Sequence, residues 1–393
     1  MTRVTQYGQF VPGGPPRDVV ITVQPTSGFT TVPALIAPPS SIVSGQNVWI
    51  EEGELRPRDR LASFSTGNPG GSQFGATVHY DSRGTAIIVA FSHNTLAFLG
   101  ADLQWSVTSY TSSHGSSYFT SFNPENVFSG SAYLPRVDEN VLFFSNNSDP
   151  VLTWQPTTGV SSIGTEVPIC RDLVGFDDRL VAWNIRELSG TTRFVQRAQW
   201  CVAADPEDWT GVGSGSQDLL DMRGEGTRVL VNGDELVLGS TAEIWFARKV
   251  GLPFVFDFAP LDRSISMPFP RAVLPTPWGI FWLGADFMIY QMIGHQIQPV
   301  GVPVQEFLRA RMAEDLLSSA FFSHHPGRRT VTFYYTPAPN TTYTHPNRAI
   351  TFHLDSGTWT AHSFWAGANA AGVRFAATLA YNVQYPTTIF PSP

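Results

Sequence analysis

The sequence has little charge, and lysine is almost absent from it. Charged residues make up 14% of the 393 residues, Lys249 is the one lysine among 24 basic residues, and the formal net charge is −8. Tight nucleic-acid binding depends on clustered Lys and Arg side chains that release counterions from the phosphates. The composition therefore argues against a dedicated nucleic-acid-binding protein.

Cysteine is also scarce. Cys170 and Cys201 are the two cysteines, and each stands among apolar neighbours at the edge of an expected strand. A free cysteine in such surroundings behaves as a small buried hydrophobic residue. We therefore expect two buried thiols rather than a disulfide, and nothing indicates an oxidising compartment.

Long apolar runs are missing as well. No segment approaches the ~18 consecutive apolar residues of a membrane-spanning helix. The N-terminal residues Met1–Pro16 lack the charged start and the apolar stretch of a signal peptide. We expect no membrane span and synthesis in a cytoplasm.

Turn-forming and apolar residues are abundant. The chain contains 34 Gly, 30 Pro and 28 Phe, and 42% of its residues are hydrophobic. This composition is typical of many short strands joined by tight turns around a large core. It excludes a disordered chain, which would have few apolar residues and high charge.

A weak repeat organises these strands. An apolar run, a short polar turn and a second run that ends in an aromatic or β-branched residue occur six times, and the first run recurs roughly every 50 residues. The pairs are Thr85–Ala90 with Thr95–Leu99, Asn140–Ser145 with Val151–Trp154, Arg179–Trp183 with Arg197–Val202, Glu235–Gly239 with Ala242–Phe246, Gly279–Leu283 with Phe287–Tyr290, and Thr330–Tyr335 with Ala349–Leu354. The pattern predicts an all-β fold, a β-propeller of about six blades. Uneven spacing leaves five or seven blades open.

The first blade has the clearest pattern. Four strands are predicted at Thr77–Tyr80, Ala86–Phe91, Leu96–Leu99 and Gln104–Thr108, and polar turns separate them. Four short antiparallel strands are the content of one propeller blade. Runs such as Ala86–Ala90 are apolar without alternation, which suits strands covered on both faces.

The chain divides into residues 1–45, an N-terminal arm, and residues 46–393, the propeller. Prolines block regular structure in the arm, which is either a disordered tail or an extended segment that lies across a neighbouring subunit. Asn47–Leu61 predicts a hairpin that turns at Gly53. In many propellers a strand from the other terminus completes the last blade, and Asn47–Ile50 and Val373–Leu379 are the candidates.

One helix is predicted at Pro303–Ser319. Pro303 suits the first position of an amphipathic helix. The residues that recur near its 3.6-residue spacing are Val304, Phe307, Leu308, Arg311, Met312 and Leu316. We expect this apolar stripe to dock on the fifth or sixth blade and the helix to decorate one face of the ring.

The sequence offers no catalytic, cofactor-binding or metal-binding residue. Gly213–Ser216 lacks the lysine and the strand-to-helix setting of a phosphate-binding loop. Asp205, Glu207 and Asp208 lie in one loop, whereas a glycosidase needs two carboxylates that face each other. Asp355–Trp359 approaches the Asp box of sialidase-type propellers with the wrong spacing, and we interpret it as a hairpin turn with a blade-packing tryptophan.

Histidines are concentrated late in the chain. They are His324, His325, His345, His353 and His362. Metal sites need ligands that converge, whereas the adjacent side chains of His324 and His325 diverge on a strand. We expect these histidines to face solvent on strands or turns.

Six segments, in this order, resemble a known family. They are Asn47–Leu61, Phe176–Ala182, Gln199–Trp209, Leu236–Phe246, Pro277–Tyr290 and Ile297–Phe307. Together they resemble the β-propeller tail hub or nozzle proteins of short-tailed bacteriophages, also called packaged-DNA stabilisation proteins. The resemblance covers about residues 47–365 and includes no large inserted domain.

The resemblance implies a structural virion protein without enzymatic activity or cofactor. Its relatives form a ring, typically of six copies, that continues the DNA channel below the portal and adaptor rings and helps to retain the genome until ejection. The implied partners are other copies of the chain, the portal or adaptor ring, tail-fibre or needle proteins, and DNA in transient non-specific contact. The implied location is the virion tail, assembled in the host cytoplasm.

Two other functions remain open from the sequence. A propeller hydrolase that acts on host surface polysaccharide would place carboxylates and aromatic residues at the central depression. A propeller lectin would repeat similar pockets on its blades, and the blade sequences here diverge from one another.

Overall fold

A computed structural model describes most of the propeller region. The described residues are 77–81, 84–91, 95–100, 102–110, 141–164, 166–186, 192–338 and 346–362, together with the backbone of short strands at 4–6, 19–21, 48–51, 54–57, 75–76, 128–134, 139–140 and 363. The expected arm and the strand candidate Val373–Leu379 lie almost entirely outside these residues.

Six four-stranded antiparallel sheets follow one another along the chain. Blade 1 has β5 (Gly75–Tyr80), β6 (Ala86–Phe91), β7 (Thr95–Leu99) and β8 (Trp105–Ser109); blade 2 has β9 (Phe128–Leu134), β10 (Glu139–Ser145), β11 (Leu152–Gln155) and β12 (Gly159–Ser162); blade 3 has β13 (Ile169–Phe176), β14 (Arg179–Arg186), β15 (Arg193–Trp200) and β16 (Gly215–Asp218). Blade 4 has β17 (Gly226–Asn232), β18 (Glu235–Ser240), β19 (Ile244–Lys249) and β20 (Phe256–Asp262); blade 5 has β21 (Val273–Thr276), β22 (Gly279–Leu283), β23 (Ile289–Ile293) and β24 (Gln296–Pro299); blade 6 has β25 (Phe321–His325), β26 (Thr330–Tyr335), β27 (Arg348–His353) and β28 (Thr358–Ser363).

The sheets are the blades of a six-bladed β-propeller, as the repeat predicts. The first strand of each blade contacts the first strand of the next one from blade 1 to blade 6, so the first strands lie innermost. In every blade the strands follow in chain order from the centre outwards. Each of the six pairs of runs predicted from the sequence forms the second and third strands of one blade.

Antiparallel order gives the propeller two distinct faces. The turns between first and second strands and between third and fourth strands lie on one face, which we call the turn face. The turns between second and third strands and the connections between blades lie on the other, which we call the helix face.

Apolar side chains fill the junctions between blades. Trp154 packs with Phe91 and Phe144 between blades 1 and 2, and Trp183 with Leu236 and Leu238 between blades 3 and 4. Similar clusters lie between blades 2 and 3, blades 4 and 5, and blades 5 and 6. Strands covered on both sides in this way need no polar alternation, which explains the continuous apolar runs.

The predicted helix is shorter than the sequence indicates. Only Gln305–Arg311 is α-helical (α1); a 3-10 turn at Val302–Val304 precedes it and another at Glu314–Ser319 follows it. Met312 is extended and bridges to Pro337, so backbone pairing with the turn after β26 ends the helix. Val304 and Leu308 pack between blades 5 and 6, which confirms the expected docking.

The predicted hairpin before the propeller is present. β3 (Val48–Glu51) and β4 (Glu54–Pro57) form a two-stranded sheet of their own, and β1 (Val4–Gln6) pairs with β2 (Val19–Ile21) in another. The prediction that Asn47–Ile50 completes the last blade is wrong, because blade 6 takes all four of its strands from residues 321–363. No helix within the described residues is long and apolar enough to cross a membrane.

Both cysteines are free and fully buried, as predicted. They pack in the same cluster between blades 2 and 3. The Cys201 thiol accepts a hydrogen bond from the Leu180 backbone N–H at 3.0 Å. Burial raises the pKa of Cys170 to about 12 and that of Cys201 to about 11, so both thiols stay protonated and unreactive at neutral pH.

Candidate interaction surface

The acidic loop of blade 3 serves the packing of the propeller. Trp209 lies between blades 2 and 3, 3% exposed, and its indole N–H donates to the Pro206 carbonyl at 2.9 Å. The Asp208 carboxylate accepts from the backbone N–H groups of Thr210 and Gly211, and these bonds lower its pKa. The loop therefore holds Trp209 in the core between blades 2 and 3. It does not place two carboxylates opposite each other.

The Asp355–Trp359 segment forms the turn predicted for it. Gly357 has φ +65° in the turn between β27 and β28, a conformation that glycine adopts without strain. Trp359 is 1% exposed and donates its indole N–H to the Val300 carbonyl at 3.1 Å. The tryptophan therefore joins blade 6 to the connection from blade 5.

The glycine-rich segment Gly213–Ser216 lies against neighbouring side chains. A Cβ on Gly215 would lie 2.8 Å from the Trp200 ring, so glycine is required for the close approach of β16. Gly213 lies beside Arg179 and Leu252. The segment enters a strand and has no phosphate-loop geometry.

Two of the predicted surface histidines are buried. His353 and His362 are 6% and 2% exposed in blade 6, which contradicts the expectation that they face solvent. The Thr360 hydroxyl lies 3.0 Å from His353 Nε2 and 3.3 Å from His362 Nε2. Among the residues that the structure describes, no group of three or more potential ligands could hold a metal ion. His345 lies outside them.

His353 makes the stability of the propeller depend on pH. Burial lowers its pKa to about 4 from an ordinary value of 6.5, with the Asp355 carboxylate opposing the shift. The unfolded chain therefore binds more protons between pH 6.5 and about 4, so the free energy of unfolding falls as the pH drops through that window. We expect His353 to account for a loss of about 3 kcal/mol between pH 7 and pH 4 in urea unfolding.

The matched variant for this prediction is His353→Gln, which keeps a polar side chain without a titrating group. It should flatten the slope of unfolding free energy against pH by the same amount. An unchanged slope in the variant would show that other groups cause the pH dependence.

A network of polar side chains links blades 2, 3 and 4 on the helix face. Arg171 pairs with Glu225 at 2.9 Å, and the Asn184 amide donates to the Gly226 carbonyl at 2.7 Å. The Arg193 guanidinium donates to the side chains of Asn184 and Asn147. These bonds join neighbouring blades, so the network fixes the spacing of the blades on this face.

Deeper in the wall, an ion pair joins the innermost strands of blades 3 and 4. Asp172, 0% exposed, accepts from Arg228 at 2.9 Å and from the backbone N–H groups of Val229 at 2.6 Å and Leu173 at 2.8 Å. Burial raises the pKa of Asp172, and the Arg228 guanidinium and the two backbone donors offset part of that rise. This pair was not predicted, although a charged Arg-Asp step inside the apolar run of β13 was the signal for it.

The turn face carries an exposed apolar hairpin. It is the turn Val250–Val255 between β19 and β20, closed by the Val250 N–H to the Val255 carbonyl at 3.0 Å. Val255 is buried and anchors the turn, whereas Leu252 and Phe254 are 68% and 76% exposed. Turns are usually polar, so a turn that presents two large apolar side chains to solvent is a candidate contact surface.

The apolar surface extends to blade 3. Val212 is 91% exposed in the loop that ends at β16, and a Cβ on the adjoining Gly213 would lie 3.8 Å from Leu252 Cδ2. Below these loops, Lys249 pairs with Asp177 of blade 3 at 2.6 Å. The apolar hairpin and Val212 thus lie side by side, and the Lys249–Asp177 pair joins the two blades that carry them.

Comparisons with known proteins support the fold of this chain and give no information on its function. No protein-family model and no curated protein matches the sequence. Among solved structures, a streptogramin B lyase aligns with 77% of this chain and 86% of its own at 11% identity and a TM-score of 0.45. Virginiamycin B lyase from Staphylococcus aureus aligns with 75% and 85% at 10% identity and a TM-score of 0.43. PorZ of the type-IX secretion system of Porphyromonas gingivalis aligns with 75% of this chain and 38% of its own at 11% identity and a TM-score of 0.32.

These neighbours differ in function from one another. Two are named as lyases and one as a component of a secretion system. At 10–11% identity their activities carry nothing over to this chain. Its function has to be argued from its own surface.

Proposed function

We propose that this protein is a structural, non-enzymatic subunit of the tail of a short-tailed bacteriophage. Copies of the chain associate into a nozzle or hub ring, six in number by resemblance to the nozzle proteins. The ring continues the DNA channel below the portal and adaptor rings and helps to retain and then release the genome. Tail-fibre or needle proteins bind the same assembly.

The observation that carries the proposal is the apolar hairpin beside Val212. Leu252, Phe254 and Val212 are each more than two-thirds exposed in the isolated chain. A chain that stayed monomeric would tend to aggregate through this exposed apolar surface. Burial of the hairpin against another protein would instead stabilise the assembly.

The charge of the chain is compatible with a DNA conduit. The net charge is −8, and the one lysine is already paired with Asp177. Net negative charge repels phosphates, which favours sliding of DNA over binding. The ordered segments between about residues 47 and 365 resemble those of tail nozzle proteins, and this resemblance supports a place in the tail.

Assembly of the purified full-length chain tests the proposal. We expect a closed ring with a lumen by electron microscopy, and a ring mass by light scattering. Leu252→Ser/Phe254→Ser should raise the concentration of half-assembly by about 30-fold to 700-fold, since the two side chains together contribute about 2–4 kcal/mol when buried.

The control variant is Leu220→Ser, which changes a leucine that is 84% exposed on the helix face. It should assemble like the wild type if the apolar hairpin is the specific contact. A wild-type chain that stays monomeric, or that cleaves a surface polysaccharide as a monomer, contradicts the proposed function.

A further inference from the structure

The outermost strands of the blades differ in how their edges are protected. An edge strand exposes unpaired backbone N–H and C=O groups, and charged residues or proline usually keep other chains away from them. β20 of blade 4 contains Asp257 and Pro260, which are both exposed. β16 of blade 3 ends at Asp218, and β24 of blade 5 ends at Pro299. The outer strands of blades 3 to 5 are therefore protected.

Blades 1 and 2 carry an outer surface without charge. We call residues 105–109 and 156–162 the uncharged rim; they form β8, β12 and the turn before β12, and none of them is charged. The two strands contact each other, and a Cβ on Gly159 would lie 3.3 Å from Thr108 Cγ2. Val107 is 51% exposed at the centre of β8. The exposed hydroxyl-bearing residues of the rim are Ser106, Ser109, Thr157, Thr158, Ser161 and Ser162.

The uncharged rim and the apolar hairpin share the turn face. The hairpin is the turn between the third and fourth strands of blade 4, and residues 156–158 are the equivalent turn of blade 2. When the propeller axis runs parallel to the axis of a ring, cyclic symmetry puts the turn faces of all copies at one height. The hairpin of one copy can then meet the rim of its neighbour.

The angle between the two surfaces suits a ring of six. The apolar hairpin and Val212 lie on blades 4 and 3, and the uncharged rim lies on blades 2 and 1. The two surfaces are therefore two blades apart, which in a six-bladed propeller is about 120° around its axis. In a closed ring of six, each subunit meets its two neighbours through two different surfaces, in directions about 120° apart.

The junction of blades 5 and 6 lies at the same angle on the other side, and it is a poorer partner. There Asp355, with a side chain 65% exposed, pairs with Arg329 at 3.0 Å, and β3 already contacts the outer strand β28. Copies of a chain with a net charge of −8 repel one another. The repulsion is smallest where the surface that a neighbour approaches carries no charge, which favours the uncharged rim.

Given the ring of the proposed function, we propose that the apolar hairpin of each copy binds the uncharged rim of the next copy. Leu252 and Phe254 cover Val107 and the methyl groups of Thr157 and Thr158, and the charged edges of blades 3 to 5 stay outside the contact. Each copy directs its hairpin to one neighbour and its rim to the other. The ring thus closes with neither surface left exposed.

Cysteine cross-linking of the full-length chain tests this pairing. Both native cysteines are buried and protonated, so a short bismaleimide reacts with introduced cysteines. Val250→Cys/Val107→Cys should give a ladder of covalent oligomers up to the size of the ring, because these positions lie on blades 4 and 1 and meet only between copies. Each single variant should give no covalent dimer, and a mixture of the two single variants should stop at dimers.

Two matched pairs of cysteines serve as controls. Val250→Cys/Ser356→Cys tests the junction of blades 5 and 6, where Ser356 is exposed, and Leu220→Cys/Val107→Cys tests the helix face. Neither pair should give a ladder. A ladder from either control, with none from Val250→Cys/Val107→Cys, overturns the pairing.

Electron microscopy of the same samples separates the pairing from the proposed function. Closed rings that give no ladder with Val250→Cys/Val107→Cys overturn the pairing and leave the ring intact. A wild-type chain that stays monomeric overturns the ring itself.

Val107→Glu provides a second measurement that needs no cross-linker. A carboxylate buried in the contact without a partner should raise the concentration of half-assembly by at least about tenfold. Added to Leu252→Ser/Phe254→Ser, it should raise that concentration by less than about threefold more, because both changes disrupt one contact. Effects that multiply in full would show two independent contacts and overturn the pairing.

Discussion

Replacing Asp172 with alanine should lower the free energy of unfolding by about 3–5 kcal/mol. The change leaves the Arg228 guanidinium, with a side chain 17% exposed, without its carboxylate inside the wall of the propeller. It also removes the acceptor for the Val229 backbone N–H. Urea unfolding followed by tryptophan fluorescence measures the loss, which should be among the largest of any single substitution in the chain.

A double variant separates charge from packing. Asp172→Leu/Arg228→Leu removes both charges, so most of the loss should return and about 1–2 kcal/mol should remain for the unpaired Val229 N–H. The exposed pair of Arg309 and Glu306, with side chains 47% and 70% exposed, is the control. Glu306→Ala should lower the free energy of unfolding by under about 1 kcal/mol, and an equal loss for Asp172→Ala would refute the role given to the buried pair.

The second large effect is expected at Trp183, between blades 3 and 4. Trp183 is 0% exposed, and its indole N–H donates to the Gly239 carbonyl of the next blade at 3.3 Å. Trp183→Ala should lower the free energy of unfolding by about 3–5 kcal/mol, because it leaves a cavity between two blades that the rigid strands on both sides cannot fill. Thermal or urea unfolding measures this loss.

Gly226 provides an independent check on the same contact. A Cβ on Gly226 would lie 2.5 Å from Trp183 Cε2, so the indole occupies space that only glycine leaves free. Gly226→Val should therefore destabilise the wild type, and Trp183→Ala should relieve part of that cost when the two are combined. Trp278→Ala, at a half-buried tryptophan on the turn face, should cost clearly less than Trp183→Ala; equal losses would contradict the account of the junction.

The fold could be predicted from the sequence because blades repeat local patterns. Runs such as Leu180–Trp183 are continuously apolar, and only strands packed between neighbouring sheets bury both faces. The helix was overextended because its periodicity continues to Leu316, whereas pairing of Met312 with Pro337 ends it. That bridge joins segments 25 residues apart, and local spacing carries no information on it.

The candidate surface was harder to predict than the blades. The apolar hairpin could have been found, since residues 250–255 read Val-Gly-Leu-Pro-Phe-Val, in which a glycine and a proline favour a turn among apolar residues. The charged step in β13 singles out Asp172, but its partner Arg228 could not be identified from the sequence, because the pair joins strands 56 residues apart. The burial of His353 and His362 depends on which side of blade 6 faces the closing gap, and alternation alone does not choose between the two sides.

Lys249 is a site at which the protein can be labelled chemically. Its side chain is 54% exposed at the end of β19, next to the turn that holds Leu252 and Phe254. An amine-reactive dye has only this ε-amino group and the N-terminal amine to modify in the chain. A dye attached to Lys249 would thus lie beside the apolar hairpin, and its emission would report directly on whether that surface is covered.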